Sequence, residues 1–80
     1  MDIDFARHII RTAFRTSRDL QDLLRLAQEV CDKQEYDALA LGVAEAIDNV
    51  GQALTNKAMA AYPELEGEID ARIDSYGQYF

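Results

Sequence analysis

The sequence predicts an all-α fold: an antiparallel helical hairpin followed by a shorter C-terminal helix, completing a helical bundle as a homodimer. Three observations carry the prediction. Apolar residues recur at steps of three and four along nearly the whole chain, helix-start signals stand at Asp32 and Pro63, and the apolar columns are wider than one short third helix can cover. The helices are expected near residues 3–31, 34–61 and 64–78, with no strand, in a single helical domain spanning 1–80.

The first helix can be capped by Asp2 or Asp4. Ile3, Ala6, Ile10, Ala13, Leu20, Leu24, Ala27 and Cys31 form its apolar seam, with Ile9, Leu23 and Val30 widening the face and only Ser17 interrupting it. Thr16-Ser17-Arg18-Asp19 resembles a capping box, which offers a break near Ser17. The continuous helix is the favoured reading, and it would run roughly 45 Å at 1.5 Å per residue.

Asp32-Lys33-Gln34-Glu35 supplies an N-cap acceptor with a glutamate three residues on. The apolar phase slips at the same place, from a first seam that would continue to Gln34 and Ala38 to a stripe that restarts at Tyr36 and Leu39. Cap and slip together predict a hairpin rather than one rod.

The central helix from Tyr36 to Tyr62 is the organising stretch. Tyr36, Leu39, Val43, Ala46, Val50, Ala53 and Leu54 make its stripe, widened by Ala40, Ile47 and Ala61. Ala44, Gly51 and Ala58 fall seven apart, and glycine costs about 1 kcal/mol against alanine inside a helix. Gly42 and Gly51 are therefore expected where another helix comes close. Pro63 disfavours helical geometry at Tyr62 and suits the first turn of a new helix, so the central helix should stop there. Leu65, Ile69, Ile73, Tyr76 and Phe80 give the third helix one apolar face, and Glu64, Glu66 and Glu68 crowd its positive end.

Charge divides the chain. Arg7, Arg11, Arg15, Arg18 and Arg25 against Asp2, Asp4, Asp19 and Asp22 give residues 1–26 a net of +1, while the remainder nets −8, within a total of −7. The arginines follow one another at steps that keep them on one side of the first helix. A third helix returning beside the first would set Glu64, Glu66, Glu68, Asp70 and Asp74 against that stripe. Otherwise Arg7, Arg11, Arg15 and Arg18 form a docking surface for an acidic partner or a nucleic acid, since arginine forks match carboxylate and phosphate. The tail residues Tyr76, Tyr79 and Phe80 either pack back on the bundle, the favoured reading, or supply an exposed aromatic anchor for a partner.

Chemistry-bearing groups are scarce. His8 and Cys31 are single and stand near opposite ends of one helix, which argues against a Cys/His nucleophile pair. Glu45 with Asp48, and Glu29 with Asp32, are spaced for one helix face but lie off the apolar stripes, and no Glu-x-x-His pair, phosphate loop or zinc spacing occurs. No catalytic, cofactor-binding or metal residue is assigned, and no cofactor is expected. The negative balance argues against nucleic acid, and the absence of a long apolar run argues against a membrane partner. A cytoplasmic protein with a reduced thiol is expected.

The expected function is a small non-catalytic protein-interaction module, a dimeric helical adaptor or regulatory subunit. The dimer face is assigned to Ile9, Leu23, Val30, Ile47 and Leu54. The alternatives are an acidic nucleic-acid mimic that blocks a basic site on a DNA- or RNA-binding protein, and a metal- or cofactor-carrying bundle.

Overall fold

A computed structural model describes the backbone of residues 1–76 and the side chains of residues 1–73. Helix α1 runs Ile3–Val30. Asp2 caps it by accepting the Phe5 N–H at 2.8 Å, as an N-cap carboxylate should. Its 28 residues span about 42 Å at 1.5 Å per residue, which sets the 44 Å long dimension of the molecule. The helix is unbroken at Ser17. Thr16 donates its hydroxyl to the Thr12 carbonyl at 2.8 Å, so the oxygen that could have started a new helix is used inside the existing one.

Cys31 turns to extended geometry, and Asp32 opens helix α2, Lys33–Val50. Both halves of the capping box form: Asp32 accepts the Glu35 N–H at 2.8 Å, and Glu35 accepts the Asp32 N–H at 3.1 Å. An N-cap side chain of this kind is worth about 0.5–2 kcal/mol. A two-residue connection leaves the second helix little choice but to return along the first, and the hairpin is antiparallel.

The central helix does not stay α-helical throughout. Gly51–Thr55 is π-helical, and α3, Asn56–Ala61, follows with no change to non-helical dihedrals. The Asn56 N–H reaches the Gly51 carbonyl five residues back. This corrects the expected stripe beyond Val50. Inward positions follow Val43, Ile47, Gly51, Thr55 and Met59, whereas Ala53 is exposed and Leu54 remains 39% exposed. Steps of four overrun an α-turn by about 40° each. One wider turn takes that drift back and returns Ala58, Met59 and Tyr62 to α1 and the last helix.

Two further expectations are corrected here. Ala44 is exposed while Ala58 is buried, so the small-residue column is not a single contact line. No atom lies within 4 Å of where a Cβ on Gly42 or Gly51 would stand, so neither glycine permits a close approach. Gly42 is exposed in regular helix. Gly42→Ala is therefore expected to raise stability by about 0.4–1 kcal/mol, read as a higher urea midpoint at unchanged slope.

Tyr62 is non-helical before Pro63, and α4 runs Leu65–Tyr76. The Tyr62 hydroxyl donates to the Met1 carbonyl at 2.6 Å, and Arg7 donates to Glu68 at 3.0 and 3.1 Å. Both pairs are 61 residues apart in sequence, and a constant offset means that α4 lies parallel to α1.

The main core forms where these three helices meet. Ala6, Ile10, Ala58, Leu65 and Ile69 are buried there, with Ile3, Ile9, Phe14, Met59 and Tyr62 packed around them. Among the described residues only Ile10 and Leu65 are large and fully enclosed. Toward the hairpin turn just Ala27 and Val43 are buried, because α4 covers the other end. The radius of gyration, 14.8 Å, exceeds the roughly 11.6 Å of a compact domain of this length. The turn end of the hairpin projects as two helices with no third layer.

Candidate association surface

On the projecting half, Leu23, Leu26 and Val30 are 44%, 63% and 81% exposed. At about 100° per residue they share a sector of about 60° on α1, beside the seam of Leu20, Leu24, Ala27 and Cys31 that faces α2. The apolar face of α1 is thus wide enough for two neighbours and has one. Phe5 continues the same side toward the N-terminus, 49% exposed, with its ring centroid 6.4 Å from that of His8.

Of the residues assigned to the dimer face from sequence, Leu23 and Val30 stand in this stripe and Leu54 is partly exposed on the π-helical segment. Ile9 is half-buried against the main core, and Ile47 is half-buried between the hairpin helices. Leu26, Phe5 and Leu41 were not assigned from sequence. Leu26 was legible in principle, since it stands three residues after Leu23 and four before Val30. Leu41, 64% exposed, lies about 160° round the helix from buried Val43 and belongs to no stripe.

The arginines separate by environment. Arg7, 29% exposed, is held between Asp4 at 2.8 Å and Glu68. Hydrogen bonding to Glu68 is the main cause that raises its guanidinium above the ordinary value; burial opposes this, and Asp4 adds to it. Arg25 pairs with Asp22 on its own helix. Arg11 also has a partner within the chain. Arg15 and Arg18 are exposed and make no ion pair or hydrogen bond among the described residues.

The acidic edge of α4 meets the arginine stripe at one described point, Glu68, which Arg72 also approaches to 3.9 Å. Glu64, Glu66 and Asp70 are exposed and have no ion-pair partner among the described residues. The side chains of Asp74 and Tyr76, and residues Tyr79 and Phe80, lie outside the described residues.

Other features offer little chemistry. A shallow open hollow on α1 is lined by Asp22, Arg25, Leu26 and Glu29. Cys31 is a half-buried free thiol at the end of α1. Among the described residues no polar side chain is buried, no group of three or more acidic, His or Cys residues could hold a metal ion, and no helix is long and apolar enough to cross a membrane.

The chain therefore belongs to the class of small all-helical proteins in which a hairpin packs against a third helix. No known protein family, curated protein or solved structure matches it.

Proposed function

We propose that the chain is a non-catalytic protein-association module that works as a homodimer, each copy covering the other's open hairpin half so that two hairpins complete a helical bundle. The observation that carries this reading is the Leu23, Leu26 and Val30 stripe, exposed on a side of α1 that neither α2 nor α4 covers. An apolar column of this kind in water is a binding surface in the usual case, since monomers rarely leave such patches open.

Surface area supports the same reading. The chain exposes 5516 Å², whereas a monomer of 9.0 kDa is expected to expose about 4,850 Å².

The test is the molar mass in solution. Light scattering from about 1 to 100 µM should give twice the chain mass of 9.0 kDa, with dissociation only on dilution, because a dimer follows mass action. A constant monomer mass across that range overturns the reading.

A further inference from the structure

Two charged patches on this chain match each other and are not satisfied within it. Arg15 and Arg18 are exposed on α1, and Glu66 and Asp70 are exposed on α4; none of the four has an ion-pair partner among the described residues. Asp19 and Asp22 stand four residues after these arginines, but Asp22 engages Arg25, and a cation placed before its anion at this spacing is the weaker helical arrangement.

The acidic patch also adjoins an apolar residue. Leu26, 63% exposed, shares the side of α1 that bears Arg15, about 20° round from it, and stands about 16 Å farther along the axis at 1.5 Å per residue. On α4, Ile73 is 40% exposed and follows Asp70 by three residues and Glu66 by seven, on the same side. One surface presents two guanidinium groups with a leucine farther along the same side, and the other presents two carboxylates beside isoleucine.

We propose that these surfaces meet between two copies: the Glu66, Asp70 and Ile73 edge of α4 in each protomer lies on the Arg15, Arg18 and Leu26 side of α1 in its partner. The inference rests on the dimer reading and adds its orientation. A two-fold axis repeats the contact, so each dimer contains it twice. The partner's α4 then becomes the missing third layer over the open half of the hairpin. A second copy fits better than a polyanion, because a polyanion brings charge without an apolar helix face to cover the exposed leucines. It supplies carboxylates and apolar surface at the spacing of one helix edge. Arginine forks suit such carboxylates and fix the register more than they add affinity.

Charge reversal tests the contact. R15E/R18E should weaken the dimer roughly tenfold or more at low salt, because the pairs in both copies of the contact are lost and replaced by repulsion. E66R/D70R should weaken it similarly. Mixed in equal amounts, the two variants should form a heterodimer of near wild-type affinity, since one copy of the contact is then wild type and the other is restored with reversed sign. K33E/K57E alters the net charge as much as R15E/R18E does while leaving both patches intact, and it should dimerise like the wild type. Circular dichroism checks that each variant is folded.

If R15E/R18E dimerises as tightly as the wild type, or if the mixture fails to recover affinity, the charged contact is overturned while the dimer stands. A wild-type chain that is monomeric throughout removes both.

Discussion

Ile10→Ala is expected to destabilise the chain by about 2–5 kcal/mol and to leave much of it unfolded at 37 °C. A domain of 80 residues has on the order of 4–12 kcal/mol in total. Ile10 is one of two large side chains that are fully enclosed among the described residues, and it lies where α1 meets Ala58 of α3 and Leu65 and Ile69 of α4. Truncating it opens a cavity among all three helices at once, with alanines nearby that are too small to collapse into the space. Urea titration followed by circular dichroism should show a lower midpoint, compared at one protein concentration because association contributes to apparent stability. A cost under about 1 kcal/mol would mean that the main core does not hold the fold.

Local chemistry made the helix ends legible. Asp32 with Glu35, and Pro63 after Tyr62, act through bonds within a few residues, and no distant contact is needed to decide their geometry. Ser17 was ambiguous from sequence because the same Thr16 hydroxyl can cap a new helix or bond back to Thr12, and only the packed structure selects the second. The meeting of α1 and α4 was legible as charge, and Arg7 with Glu68 realises it; the remaining acids of α4 stay at the surface.

The π-helical segment had no such local signature. A one-residue change of phase near Gly51 is selected by where Ala58, Met59 and Tyr62 must arrive, and that depends on α1 and on the helix after Pro63. Reading Gly42 and Gly51 as signs of close packing failed for a related reason: low helix propensity records a cost and does not say what offsets it. The open stripe was half legible. Periodicity placed Leu23 and Val30 beside the seam, but only the packed positions of α2 and α4 determine which side of a wide apolar face is left open.

Replacing the open stripe is expected to separate the dimer without unfolding the protomer. Leu23→Gln, Leu26→Gln and Val30→Gln together keep the net charge, so a loss of association would report apolar burial rather than repulsion. Glutamine also avoids placing an anion at the C-terminal end of α1, where the helix dipole disfavours negative charge. The stripe side chains are 44–81% exposed in the protomer, so they hold less of the monomer fold than Ile10 does. In a two-fold dimer the change counts twice, for six apolar side chains. Their combined burial is on the order of 5 kcal/mol or more, which is over a thousandfold in Kd. The triple variant should therefore give the monomer mass in light scattering at tens of micromolar while keeping wild-type helix content. Leu41→Gln provides the contrast: Leu41 is as exposed as Leu26 but stands on the side of the central helix turned away from α1, and this change should leave the dimer intact. A triple variant that dimerises as tightly as the wild type would place the interface elsewhere, with Leu54 and Ile73 the next apolar residues to replace.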